Sequence, residues 1–526
     1  MGVGIGGATL HAPAAKAAWR GESSTLAESI IIIGAGVAGL AAGCYAQMNG
    51  YRTKIFELHD LPGGLCTAWQ RKGYVFDGCI HYLLGSGPGQ PFHRVWQELG
   101  ALKGRPIYHH EELMRVVAPD GRTLIAYSDP DRLEQNLLEL SPADRGLIQA
   151  LCQGIRQFTH FDMSLMQEKP RTLMGLSDWV RLGWKMKAFV GPLARWALVS
   201  SQDFAARFKD PFLRRALPMI FVWPDIPMLA GLSILAYTHT RNAGFPASAS
   251  LEFARAIERR YLELGGEIHY KSQVEKILVE DDQAVGVRLY NDEIHRADRV
   301  ISAADGRATL MDMLDQKYLS PGMKKNFDGR IPTYSQFQVS LGVNRDLSRE
   351  PHWVTYLYDQ PLLIAGEERY DLGVKNYCFD PSLAPQGKSA MVVMMRTHYA
   401  YWQHIYGHRL YDSEQTQVSD IVIGHLEKIY PGLRGQIEVV DEATPLSYER
   451  YTGNWQGSAC GWLLTKRTMP MMLLGMRKTV PGLRNFTMAG QWVEPGGGLP
   501  LVATSGRNAI QMICREDGKR FITHSA

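Results

Sequence analysis

The sequence predicts an α/β fold in three parts: a discontinuous Rossmann-like domain, a mixed-sheet domain and a helical, candidate membrane-contacting subdomain. Two observations carry the first part. The chain opens with a strand, a glycine turn, a helix and a second strand, and the same α/β pattern returns in two distant segments near residues 250–305 and 485–515. A third observation separates the rest: the intervening stretches have their own character, one helical and rich in Trp, Met and Arg, the other strand-like. With 526 residues, 45% hydrophobic and 21% charged, the chain is long enough for more than one core.

The opening element is "SIIIIGAGVAGLAAGCYAQMNG". Ile30 to Ile33 read as a strand buried on both faces, Val37 to Met48 as a helix packed closely on it, and Gly50 as its stop. "YRTKIFEL" is then a second strand ending at Glu57. Residues 29–95 form the first piece of the Rossmann-like domain, 246–320 the second, with an amphipathic helix from Leu251 to Leu264, and 481–522 the third, with a helix from Leu499 to about Cys514. The mixed-sheet substrate domain takes 96–150 and 321–480, with strands in "YSQFQVSLGV", "WVTYLY" and "SAMVVMMRTH". Residues 151–245 are the helical subdomain. Residues 1–28 read as a flexible leader from their Gly, Ala and Ser content, and they lack the basic segment and compact apolar run of a secretory signal.

Charge and cysteine usage exclude several functions. A net charge of +4 gives no footprint for nucleic acid. The seven cysteines show neither metal-ligand spacing nor a disulfide framework, which indicates no metal and a reducing compartment. No apolar run is long and uncharged enough to span a bilayer, so the expectation is a cytoplasmic protein with peripheral membrane contact.

Gly34, Gly36 and Gly39 stand between strand and helix. The first permits the tight turn, the second lets backbone approach a pyrophosphate, and the third lets helix and strand pack closely. Glu57, about twenty residues on, suits a ribose. The stretch "PGGLCTAWQRKGYVFDGCIHYL" follows. Its Gly63, Gly64 and Thr67 supply a second backbone loop for the pyrophosphate of a fully buried dinucleotide, which favours FAD over an exchanging nicotinamide. Cys66 and Cys79 lack spaced partners and read as packed side chains rather than thiolates, with covalent flavin attachment left open. His81 falls where the chain passes the ring, either as a satisfied core histidine or as an acid or base.

Together with the turn into "VISAADG", the stretch "DEATPLSYERYTGNWQGSACG" and the closing "AGQWVEPGGGLP", these motifs resemble the phytoene desaturase-like flavoproteins. That group includes carotenoid desaturases, carotenoid cis-trans isomerases and retinol saturases, within the amine-oxidase-like superfamily. The resemblance runs from about Ser29 to Arg520. It implies a discontinuous Rossmann-like FAD-binding domain. Around the pyrophosphate it places Gly34, Gly36, Gly39, Gly63, Gly64 and Thr67 with the flanking Val37, Ala38, Leu58, Leu65 and Cys66. It places Glu57 on the adenosine ribose, the Val274 backbone at adenine, Gly490 and Gln491 along the ribityl chain, and Gly498, Leu499 and Pro500 at the flavin pyrimidine edge. Gln491 stands where many FAD enzymes carry an acid.

For the substrate, "LSDWVRLGWKMKAFVGPLARWALVSSQDF" interleaves Trp179, Trp184 and Trp196 with Arg181, Lys185, Lys187 and Arg195, either a membrane-surface segment or a packing helix with a solvated face. "TMPMMLLGMRKTVPG" reads as an apolar tunnel wall or as core. With the resemblance, these favour a long apolar polyene or isoprenoid lipid as substrate. Hydride transfer to or from flavin N5 requires mainly that a C–H or C=C group be held in a dry slot. The expected activity is desaturation or saturation, with His81, Tyr82 and Glu494 as candidate polar catalytic groups. Three alternatives stay open: a redox-neutral double-bond isomerase, an amine-type oxidase, and a flavin-free lipid-binding escort protein of the kind that carries prenylated GTPases.

Overall fold

The computed structural model describes residues 28–221 and 223–526, and the leader reading falls on residues 1–27, outside the described residues. Three separated stretches of chain meet in one parallel sheet. Its strands run, edge to edge, Glu267–His269, Arg52–Phe56, Ser29–Ile33, Arg299–Ser302 and Phe486–Met488. The isoleucine run explains the central strand. Ile30 and Ile32 enter the core on one face and Ile31 and Ile33 that on the other, so burial on both faces follows from the period of two.

Helix Val37–Met48 lies on the first of these faces, gripped between helices Ala249–Glu263 and Leu499–Glu516. Only small residues allow that approach. A methyl group on Gly506 would overlap the Ala38 carbonyl and the Ala42 amide, and one on Gly39 would overlap the Gly34 carbonyl. The predicted boundaries of the first helix agree with the structure, and the last helix runs slightly past the expected Cys514 to Glu516.

The second sheet is mixed and has seven strands, in the order Ile437–Ala443, Ser335–Val343, Ser389–Thr397, Glu367–Asn376, Trp353–Ile364, Glu112–Val117, Thr123–Tyr127. Trp353–Ile364 and Glu112–Val117 run parallel and the other pairs antiparallel. Helix Tyr411–Ile429 covers one face through Val418, Val422 and Leu426, which pack on Val339, Leu372 and Val374. The strand Glu367–Asn376 carries no apolar alternation over its first half and was not anticipated.

Against the Glu112–Val117 and Thr123–Tyr127 end of this sheet lies a helical layer in which Arg145–Phe158 packs on Met228–His239 through Leu151, Ile155, Leu232 and Leu235. The methionine-rich segment joins it as a short helix, Met469–Leu474, with Met469 and Met472 buried in this core, so of its two readings the structure supports core. Helix Leu176–Met186 is different. None of its residues is buried, and Leu176, Trp179, Val180 and Trp184 stand in solvent.

Candidate functional site

The three glycine-bearing turns of the first domain open into one cavity of about 410 Å³, within the range of small-molecule sites. Gly34, Gly36, Val37 and Ala38 come from the first turn, Glu57, Leu58, Gly63, Gly64, Leu65 and Cys66 from the second, and Gly490, Gln491, Gly498, Leu499 and Pro500 from the last. Val274 and Ala303 to Asp305 close the same space. Of the predicted cofactor residues, Gly39 and Thr67 do not line it. Gly39 packs against the Gly34 backbone, while Thr67 spends its backbone in a turn, donating to Leu65 and accepting from Gly78.

The first two glycine loops lie side by side. Gly63 N donates to the Ala35 carbonyl at 2.9 Å, and Gly36 bridges Gly63 in parallel register. Glu57 locks both. Its Oε2 accepts from the Ala35 amide at 2.6 Å and its Oε1 from the His59 amide at 2.9 Å. Burial raises the Glu57 pKa and these backbone N–H groups oppose the shift. Each carboxylate oxygen retains a further lone pair for hydroxyl donors.

Two helices aim uncapped N-termini at the cavity. Helix Val37–Met48 is preceded by Gly36 and helix Leu499–Glu516 by Gly498, neither of which has a side chain to cap the first turn. Their free N–H groups and dipoles create positive potential where both loops approach. A methyl group on Gly36 would find no protein atom nearer than the Gly63 carbonyl at 4.0 Å. That position is therefore open on the protein side and reserved for something else. Gln491 lines the space as an amide rather than an acid, and its Nε2 donates to Asn454 Oδ1 at 2.9 Å.

Asp77 shapes the cavity's other end. Fully buried, it accepts from the amides of Cys79 (2.8 Å), Ile80 (3.1 Å) and Ser250 (2.7 Å), and so fixes the loop that carries His81 and Tyr82 into the wall. His81 has a partner that the sequence did not reveal: Lys375 Nζ lies 2.6 Å from its Nδ1. Burial, reinforced by the Lys375 charge, holds the His81 imidazole neutral by pushing its pKa well below the usual value, and burial raises that of the Tyr82 phenol. Burial also brings the Lys375 pKa down to about 7, against the pull of Asp77 and Cys79. Asp305, in the "SAADG" turn, is raised by burial to about 6 although it accepts from the Ala308 and Trp455 amides.

Glu494 is not brought to the cavity. Its carboxylate is buried in an ion pair with Lys478 beneath the last glycine loop, a stabilising contact rather than a group that meets a ligand. Cys66 and Cys79 are free thiols. Cys66 is packed, its Sγ 3.5 Å from the Ser250 carbonyl, with burial and the neighbouring Cys79 raising its pKa, which agrees with the packed reading. Past His81 the wall turns apolar, with Met163, Ile226, Ala230 and Ile234 contributed by the helical layer.

The comparisons agree with this geometry. Residues 32–99 match the family described as NAD(P)-binding Rossmann-like domain. A lycopene-forming phytoene desaturase of Paracoccus sp. is 26% identical over 533 residues, covering 96% of this chain and 98% of that protein. Prolycopene isomerase 1 of an Oncidium hybrid cultivar, a chloroplastic protein, is 24% identical over 504 residues, covering 90% and 82%. Among solved structures, cyclohexylamine oxidase from Brevibacterium oxydans superposes with a TM-score of 0.58 at 13% identity, covering 94% of this chain and all of that one, a likeness of fold.

Two outcomes follow from the site. Gly36→Ala should leave the thermal stability of the ligand-free protein unchanged while lowering dinucleotide affinity by at least about tenfold, as read by equilibrium dialysis, because only a bound pyrophosphate meets the added methyl. For Lys375, the folded chain holds the proton less tightly than the free side chain, whose value is 10.5. Unfolding therefore takes up a proton between about pH 7 and pH 10, and stability rises with pH across that window, with the full penalty below it. Lys375→Met should melt higher than wild type at pH 7, by an amount worth on the order of a few kcal/mol, and the difference should vanish towards pH 10.5.

Proposed function

We propose, for a chain whose homologues are phytoene desaturases and prolycopene isomerases, that it is an FAD-dependent oxidoreductase acting on carbon–carbon bonds of a long apolar polyene or isoprenoid lipid. One observation carries the reading. The cavity into which all three glycine turns open continues without a break into an apolar space walled by the helical layer. The residues present fit FAD: backbone amides and two helix N-termini suit the pyrophosphate, and Gly36 leaves open the volume it would fill.

Bound there, FAD supplies the two-electron acceptor and donor for hydride exchange. The chain's own part is positioning. Gly34, Gly36, Gly63 and Gly64 with the first helix would hold the phosphates and Glu57 the ribose, and the N-terminus of the last helix would supply positive potential at the flavin end of the site. Met163, Ile226, Ala230 and Ile234 exclude water and orient an apolar chain. Where the charged Lys375 donates to Nδ1, neutral His81 would carry its proton on Nε2 and offer a hydrogen-bond donor rather than a base. The second reading is a redox-neutral isomerase, favoured by the prolycopene isomerases among the homologues.

The exposed helix Leu176–Met186 supports docking on an anionic bilayer, from which an apolar substrate would be drawn. Leu176 is 82% and Trp184 68% exposed, and Arg181, Lys185 and Lys187 accompany them, with Lys187 lying over the Trp184 ring. Among the described residues, no helix is long and apolar enough to cross a membrane.

Purified protein should show a flavin spectrum. Incubated anaerobically with phytoene, it should change the polyene's number of double bonds under the first reading and only their geometry under the second. Colourless protein that takes up polyene but no added FAD would instead identify an escort protein. On vesicles containing phosphatidylserine, Trp179→Ser with Trp184→Ser should reduce cosedimentation about tenfold or more while cavity binding is retained; unchanged cosedimentation would remove the docking assignment.

A further inference from the structure

The main cavity has a polar neighbour. Beyond His81 lies a second space of about 160 Å³ over one face of the seven-stranded sheet, and His81, Tyr334, Gln336 and Met394 border both. The chemistry of the two differs. Lys375, Arg369, Asp371, Arg396 and Thr355 wall the chamber, an excess of positive charge beside a predominantly apolar cavity.

The strand Glu367–Asn376 is the source of this difference. Its alternation puts Arg369, Asp371, Gly373 and Lys375 on the chamber face and Leu372 and Val374 in the core behind. At Lys375 the strand is paired on both edges and its back face is covered by Leu372 and Val374, so a cation there adds nothing to strand stability and is costly to bury. Arg369 is paired with Glu367, but Lys375 is not so provided for. It is only 7% exposed, and its polar contact is the Nδ1 atom of His81, with the ring face of Trp353 4.4 Å away. Among the described residues, no carboxylate reaches ion-pairing distance of it. The nearest buried acid, Asp77, is occupied by backbone amides and Ser250. A buried ammonium group lining a cavity without a counter-ion is half of an ion pair.

We propose that this chamber binds the carboxylate terminus of an otherwise apolar chain, with Lys375 as its counter-ion and the body of the chain lying in the main cavity. The inference rests on the reading of the main cavity as a site for an apolar substrate, and it narrows the substrate class from hydrocarbons to carboxylate-ended lipids. The volume supports it: about 160 Å³ admits a terminus and not a whole ligand. The ammonium group donates to His81 Nδ1 and keeps two further N–H donors for the anion.

The test uses three probes with one chain: retinoic acid, retinol and methyl retinoate, titrated into the purified full-length protein and followed by equilibrium dialysis. The acid should bind about tenfold or more tightly than the ester, the margin of a charge-assisted hydrogen bond in a buried site. Lys375→Met should abolish that preference, bringing acid and ester to equal affinity, whereas Lys375→Arg should keep it. The acid-to-ester comparison in wild type stands without any variant. Equal affinity for acid and ester, or a preference that survives in Lys375→Met, would overturn the chamber assignment alone. Failure of acid and ester alike to bind would overturn the apolar-cavity reading together with it.

Discussion

How closely the first helix can approach the last one decides whether this molecule has a site at all. Gly506 lets Leu499–Glu516 lie against the backbone of Val37–Met48, and Gly39 lets Val37–Met48 lie against the turn that precedes it. Ordinary side chains at those two points would restore the usual interaxial spacing of about 8–10 Å and move the two helix N-termini apart. With the glycines in place, Gly36 and Gly498 bring two sets of uncapped amides to the edge of one cavity, although they stand at opposite ends of the chain. The parallel sheet beneath them continues the same logic, each strand end delivering a turn to the same rim.

Buried polar groups divide along this cavity into satisfied and unsatisfied ones. Glu57, Asp77 and Asp305 are acids whose oxygens are occupied by backbone amides, so each fixes a loop: the glycine turns, the His81 segment, and the junction with Trp455. Fixing loops is their shared work, to which Glu57 adds spare lone pairs at the cavity, and Glu494 with Lys478 is likewise satisfied. Lys375 stands apart because, among the described residues, no carboxylate pairs with it. It stands with Arg369 and Arg396 against Asp371 in the chamber wall, and low local dielectric makes that imbalance of charge strong.

The nucleotide-binding half of the fold was legible because its signals are local. Four isoleucines, three spaced glycines and an acid define strand, turn, helix and strand within about thirty residues, and the structure keeps those boundaries. The last helix was readable for the same reason. The substrate side was not, since its residues meet only through tertiary pairing. Lys375 reaches His81 across nearly three hundred residues, from a strand whose alternating charges look like a solvent-facing loop. Thr67 and Glu494 were misjudged in the opposite direction, because closeness in sequence to a glycine loop says nothing about which way a side chain turns. The one signal that could have exposed Lys375 was its place within "LGVKNY", a cation between residues that suit a buried strand.

The seam between the terminal helices also sets the order in which the protein can be made. The strand Phe486–Met488 and the helix that follows it are synthesised after every other strand of the sheet, yet they complete a sheet and a helix pair that begin at residue 29. Until then, Val37–Met48, buried over nearly its whole circumference in the finished molecule, has one flank uncovered. The helical layer and most of the seven-stranded sheet can form while synthesis proceeds, but the nucleotide fold must wait for its final segment. A nascent chain of this kind leaves a strongly apolar helix half covered until then, so loss of Leu499–Glu516 leaves a sticky, ligand-incompetent remnant rather than a smaller working protein.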